Sequence, residues 1–330
     1  MAHMIEDSDI QVGIEQAWHG LTKVKPVLTL GEEDCEINYP MTTLPLIVKV
    51  GENEVETPYR QIVSLDNGLP IGQPVSDKYC LISNGQVLEM VKDALLGTQH
   101  KVVSYGSVCS RSRVFVSIKL SEAIVAANRE HDNLLNITWG HGGVSALVAN
   151  SSMICIVCNN TLTQSLSKRG EFNMRIKHTK NANNRLDGMS EAIDRHYGVA
   201  AEFKHAMDSL EAVECEEETA RKITAGILTP LTFERDTKVS TRTANTIDRV
   251  VELYRTGAGN RGRTMADLFN GATDYFSHES SGGDNNRWKQ YVSSEFGSAG
   301  ESKREWFSVL TDTDARSKAL TRGEQVLLVA

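Results

Sequence analysis

The stretch Leu253–His278, LYRTGAGNRGRTMADLFNGATDYFSH, carries Gly257, Gly259 and Gly262 in the spacing G-x-G-x-x-G. In dinucleotide-binding folds that spacing wraps a pyrophosphate, and it works only when a buried strand feeds the glycine turn and a helix leaves it. Upstream, in TRTANTIDRVVELYRT, the apolar residues Ile247, Val250, Val251 and Tyr254 recur at i, i+3, i+4 and i+7, the stripe of an amphipathic helix. Downstream, Thr264 and Asp267 make a capping-box start, and Met265, Leu268, Phe269, Ala272, Tyr275 and Phe276 continue at helical spacing. The segment is therefore helix, glycine loop, helix, and no nucleotide cofactor is expected. Gly257 or Gly259 is expected to end the first helix in a left-handed conformation. Asn260, Arg261 and Arg263 stand beside the N–H groups of the second helix, a candidate contact for a phosphate backbone.

Working outward, the fold class is α+β: an antiparallel sheet with packed helices in the N-terminal two-thirds and a mainly helical last third. Residues 1–50 read as an N-terminal arm with a strand from Leu44 to Val50, 51–182 as an α+β core domain, and 183–330 as a mainly helical region. Asp66-Asn67-Gly68 between two apolar runs is a hairpin signal. Val87, Leu88, Val91 and Leu95 mark a helix ended by Gly97, and KVVSYGSV and RVFVSIKL are two strands joined by CSRS. In FNMRIKHT, Phe172, Met174, Ile176 and His178 alternate with Asn173, Arg175, Lys177 and Thr179, so a strand would present its bases on one face. CNNTL offers capping residues for a helix starting near Leu162. From Asn183 to His205 the pattern is a long amphipathic helix.

The chain has 330 residues, 40% hydrophobic and 24% charged, which places it among globular proteins. No apolar run approaches the roughly 20 residues needed to cross a bilayer, so no membrane association is expected and the cytoplasm is the simplest compartment. Of six cysteines only Cys155 and Cys158 are close. Their C-x-x-C lies in an apolar run with no second ligand pair, so both are expected to be buried and unligated. The net charge of −8 disfavours bulk attraction to nucleic acid. Yet between Ser167 and Leu186 the bases Lys168, Arg169, Arg175, Lys177, Lys180 and Arg185 face one acid, Glu171. Segregated bases on an acidic protein form a candidate polyanion site.

His131, Asp132 and His141 invite a hydrolase, but no G-x-S-x-G, P-loop or H-E-x-x-H accompanies them. No catalytic residue, metal or cofactor is assigned from the sequence.

AWHGL near the start, SLDNGLPIGQPVSDKYCLISN, VCNNTL, RIKHTKN and GAGNRGRTMADLFNGATDYFSH, in this order, resemble the phage/plasmid-like family of uncharacterised proteins. The resemblance runs from about Trp18 to Leu310, and departs from the family pattern at Ser280–Asp284, SSGGD, where a more basic stretch is expected. It implies a mobile-element protein of the bacterial cytoplasm, expressed with replication or recombination genes. The pattern from Tyr59 to Leu120 also resembles the strand-rich core of single-strand annealing proteins. That second resemblance implies a homo-oligomeric, single-stranded-DNA-binding accessory protein. Arg111, Arg113, Arg175 and Lys177, with Lys168, Arg169, Lys180, Arg185, Arg261 and Arg263, would contact the backbone, and Tyr105 and Trp139 would stack on bases. The alternative is a non-enzymatic phage structural or host-interaction protein that self-assembles, which the net acidity fits. A third, a nuclease or hydrolase, would need His131, Asp132 and His141 to converge on a metal.

Overall fold

A computed structural model describes residues 9–15, 22–30, 35–120, 123–143, 146–155, 157, 161–165, 175–179, 189–229, 239–280 and 287–329. The chain divides into two compact units that alternate along it. One is Met1–Ser121 with Leu134–Ser151 and Ser165–Val199, the other Glu122–Asn133 with Ser152–Gln164 and Ala200–Ala330. The class is α+β, with antiparallel-dominated sheets, strands mostly in the N-terminal two-thirds and helices in the C-terminal part.

In the first unit β6 (Lys101–Val108) and β7 (Arg113–Lys119) form the hairpin expected around CSRS, and β9 (Arg129–Gly140) pairs with β7 from Leu134 onward. On the other side of β6 lie β1 (Ile10–Gly13) and then β2 (Lys23–Val24), the latter parallel to β1. β10 (Leu147–Cys155) follows β9 in the sheet order, and β12 (Arg175–Ile176) pairs with Leu147 and Val148. Helix α1 (Asn84–Leu95) starts at Ser83, whose side chain and Gln86 close a capping box, and Gly97 follows its end at φ 75°. Its buried face, Val87, Leu88 and Val91, shares one core with Tyr105, Val116, Ile118, Ile137 and Trp139 of the sheet.

A second sheet of the same unit is built from β3 (Met41–Val50), β4 (Asn53–Ser64) and β5 (Pro70–Ser76). Asp66-Asn67-Gly68 makes the turn between β4 and β5, with Gly68 at φ 72°. β5 pairs only with Tyr59–Val63 at the base of β4. Beyond that base β3 and β4 continue, among the described residues, as a two-stranded ribbon to a turn at Gly51. Val48, Val50 and Val55 on it are 45%, 63% and 49% exposed.

In the second unit β8 (Ile124–Ala126) pairs with the start of β9. β11 (Thr161–Ser165) follows β10 in the sheet order. The expected helix near Leu162 is therefore a strand: the β-branched Thr161 and Thr163 flank Leu162 in a run that suits a pleat better than a helix turn. The helices are α2 (Met189–Glu211), α3 (Glu217–Leu228), α4 (Thr241–Thr256), α5 (Met265–His278), α6 (Arg287–Phe296), α7 (Ser298–Thr311) and α8 (Thr313–Val329), α2 starting within the first unit. Helix α5 buries residues all round its surface, and Leu268, Phe269 and Ala272 join Phe203, Met207, Tyr254 and Trp306 in the core. Helices α3 and α8 cross at backbone contact: a Cβ on Gly226 would lie 1.8 Å from the Ala319 carbonyl oxygen, and one on Gly323 1.7 Å from that of Lys222. Only glycine admits that approach. Among the described residues no helix is long and apolar enough to cross a membrane.

Candidate functional site

Buried polar groups of the first unit form separate hydrogen-bonded clusters. Tyr105, on β6, is 1% exposed, and its hydroxyl donates to Glu36 Oε2 at 2.7 Å. Burial alone would raise the Glu36 pKa, but hydrogen bonds from Lys23, Tyr105 and Lys25 outweigh it and hold the carboxyl at about 2. Tyr105 is thus a buried donor to a fixed carboxylate, and its ring offers no face to a base.

Trp139 is likewise 1% exposed, and its Nε1 donates to Asn84 Oδ1 at 2.8 Å. An indole only donates, so this bond fixes which end of the Asn84 amide is oxygen. The same oxygen lies 2.9 Å from His141 Nε2, which must therefore carry the proton. His178 Nδ1 stands 3.2 Å from the Cys80 carbonyl and carries a proton by the same argument. The lone pairs left over, on His141 Nδ1 and His178 Nε2, are buried and make no hydrogen bond, as are Asn84 Nδ2 and the Tyr79 hydroxyl. The Tyr79 ring stacks on His178 with centroids 4.7 Å apart. Burial, with His178 adding to it, pushes the His141 pKa down to about 3, and burial lowers that of His178. Both imidazoles are neutral, and His141 is enclosed.

Arg111 is held by a further cluster. Its Nη1 donates to Ser64 Oγ at 3.0 Å and to Asp66 Oδ2 at 2.7 Å, its guanidinium lies 4.7 Å over the Tyr39 ring, and its carbonyl accepts from the Tyr39 hydroxyl at 2.8 Å. These bonds hold three successive residues, Cys109, Ser110 and Arg111, at φ 55°, 54° and 63°, a conformation that costs roughly 1–3 kcal/mol each without glycine. Arg111 is therefore a clamp on the β6–β7 turn and not an available backbone contact. Arg113, half-buried on β7, is also partnered.

The glycine loop of the second unit surrounds a buried arginine. Arg129 is 5% exposed, and its Nη2 donates to the Gly259 carbonyl at 2.9 Å and to Asp267 Oδ1 at 2.5 Å, while Nη1 donates to the Ala127 carbonyl at 3.1 Å. Gly259, at φ 77°, turns its carbonyl inward; Gly257, at φ −59°, is not left-handed. The other oxygen of Asp267 accepts from the backbone N–H of Arg263 at 3.0 Å and of Thr264 at 3.3 Å, and Thr264 Oγ1 accepts from Asp267 N–H. A carboxylate thus already occupies the N-terminus of α5, and Arg261 pairs with Glu211. The loop serves Arg129, and the N–H groups expected beside a phosphate already meet Asp267. Arg263 has an exposed side chain.

Of the basic strip, Lys177 is exposed just after β12, while Ile176 and His178 on either side are buried, in keeping with the alternation. Arg175 lies in β12, but its side chain and all of Lys168, Arg169, Lys180 and Arg185 lie outside the described residues. Cys155 is buried, and Cys158 lies outside the described residues. His131 and His141 belong to different units; Nδ1 of His131 is 3.1 Å from the Arg129 carbonyl, and Asp132 is partnered. Among the described residues no three metal-ligating side chains come together.

The model of one protein family, a domain of unknown function (DUF932), matches residues 73–322. The chain belongs to that family. Within the DUF932 span lie Asn84, Trp139, His141, His178, Arg129 and Asp267, whereas the β3–β4 ribbon precedes it. No curated protein and no solved structure matches the chain.

The feature that sequence reading missed is this ribbon. Its first strand was legible in the apolar run LPLIVKV, whereas NEVETPY, the outer part of β4, carries no comparable run.

Proposed function

We propose that this chain is a non-enzymatic, self-assembling protein of phage or plasmid origin, acting in the bacterial cytoplasm, in which the β3–β4 ribbon joins one copy to the next. The observation that carries this reading is the exposure of Val48, Val50 and Val55 on a ribbon that, among the described residues, has no third strand beside it. A two-stranded hairpin is at best marginally stable by itself, and exposed apolar strands mark association sites. The absence of an enzyme is favoured by the state of the candidate bases, since His141 is neutral and enclosed and donates to a structural amide. Light scattering tests it: the native chain is expected to elute with a mass of two or more chains, and Val48→Asp with Val55→Asp to elute as one. A native monomer at about 100 μM contradicts it.

Single-stranded DNA binding is the second reading, favoured by the exposed Lys177 beside Arg175 on β12. It rests on fewer groups than the sequence suggested, because Tyr105, Trp139, Arg111 and Arg261 are engaged elsewhere. Fluorescence anisotropy of a labelled oligonucleotide at about 50 mM salt tests it. Weakening in Arg175→Ala with Lys177→Ala, with a salt slope lower by about 1 for each phosphate no longer neutralised, supports it; no binding by the native chain removes it.

A further inference from the structure

The tip of the ribbon and a groove of the same unit carry opposite chemistry. In the ribbon, Val48 faces Val55 and Val50 faces Asn53 across the two strands, so the three valines share one face. The other face carries Lys49 opposite Glu54 and Ile47 opposite Glu56, and Glu52 sits in the turn. Three acids meet one base there, and Lys49 is already paired with Glu54 at 3.4 Å.

The groove lies between the stretch 26–30 and the C-terminal end of α1, and encloses about 680 Å³. Leu28, Leu95 and Val102, half-buried against the core, give it an apolar floor. Its lips are open, with Val27 71% and Leu96 70% exposed. The charged or titratable groups of the lining are Lys92, His100 and Lys101, with no carboxylate among them. Both lysines are exposed, and among the described residues neither is ion-paired. Lys101 stands directly opposite Lys119 on β7. His100 Nδ1 is buried and makes no hydrogen bond. The half negative charge at the end of α1 is met by Leu96 N–H on the Asp93 carbonyl and Thr98 on the Leu95 carbonyl, so the two full lysine charges dominate.

We infer that the ribbon tip of one copy occupies this groove on a second copy, valines against the leucine floor, with Glu52 of the turn and, from the ribbon's outer face, Glu54 and Glu56 above the rim that carries Lys92 and Lys101. The inference rests on the proposed assembly through the ribbon and adds where the ribbon goes. Tip and groove are different surfaces, so the contact is heterologous. It closes a dimer when two copies exchange tips, and otherwise propagates to a ring or filament.

The test uses the full chain and two charge reversals at exposed positions, Lys92→Glu with Lys101→Glu in the groove and Glu52→Lys with Glu54→Lys and Glu56→Lys in the tip. Circular dichroism confirms the fold of each, and light scattering over a dilution series reads assembly. Each reversal alone is expected to weaken self-association by about tenfold or more, and the chain carrying both to recover it. Assembly unchanged by the groove reversal yet abolished by Val48→Asp with Val55→Asp overturns the groove while leaving the ribbon reading intact. A native chain that is monomeric throughout overturns both, and failure of the combined reversal to recover assembly overturns the pairing of these charges.

Discussion

Arg129 Nη2 and Asp267 Oδ1 lie 2.5 Å apart, at 5% and 0% residue exposure, and join the β8–β9 turn to the first turn of α5. The bond explains why the glycine loop and the capping box occur together. Gly259 supplies a carbonyl to the same guanidinium, and Asp267 divides its two oxygens between Arg129 and the helix N-terminus. Asp267→Ala removes the partner of a buried charge and is expected to cost about 3–5 kcal/mol. Urea unfolding reads this, and a loss below about 1 kcal/mol contradicts it. Arg129→Met with Asp267→Leu, which removes both charges, is expected to cost less than Asp267→Ala.

Acid should destabilise the first unit well before its carboxylates titrate. Burial lowers the pKa of His141 to about 3 and of His196 to about 4, each from 6.5, and lowers that of His178. Between those folded values and 6.5 the unfolded chain binds more protons, so stability rises with pH across the window. The contribution is fully present above about 6.5 and is lost as pH falls towards 3, at up to about 1.4 kcal/mol per pH unit per histidine. Thermal unfolding at pH 7, 5.5 and 4.5 measures it. A flat profile over that range is the contrary result.

Lys303, on α7, is 1% exposed, and its Nζ donates to Ser294 Oγ at 2.7 Å. Burial pushes its pKa down to about 8, against the pull of Glu295. A depressed lysine makes the unfolded chain the better proton binder between about 8 and 10.5, so this group favours folding increasingly as pH rises through that window. Lys303→Met is expected to flatten the rise relative to the native chain, and to raise stability at pH 7 or leave it unchanged. Parallel denaturation curves at pH 7 and 9.5 decide the matter. A loss of several kcal/mol at both values would show that the amine's hydrogen bonds outweigh the cost of burying its charge.

Local patterns foretold much of this architecture. Thr264 and Asp267, the Asp66-Asn67-Gly68 turn, the helix over Val87–Leu95 and the hairpin around CSRS each arise from residues within a few positions of one another, and all four form as expected. The site assignments depended on distance along the chain. Period-two alternation says that Tyr105 and Trp139 lie on a face of the sheet, but not that α1 covers that face. The partner of Trp139 is 55 residues away, and that of Arg111 is 45. Arg129 reads as a surface base in ANREHD, and only the return of the chain at Asp267, 138 residues later, buries it. Of the ribbon only the strand over Leu44–Val50 was legible, and its exposure depends on how little of β4 the short β5 reaches.

The most direct measurement of association through the ribbon is hydrogen–deuterium exchange of the native chain at two concentrations, about 1 and 100 μM. Peptides covering Leu44–Tyr59 are expected to exchange more slowly at the higher concentration, as their outer amides become covered by a second copy. Peptides from α5, already buried within one chain, are expected to exchange alike at both. Ribbon peptides that exchange at the same rate at both concentrations, while light scattering shows the mass to change, would place the contact elsewhere and contradict the account.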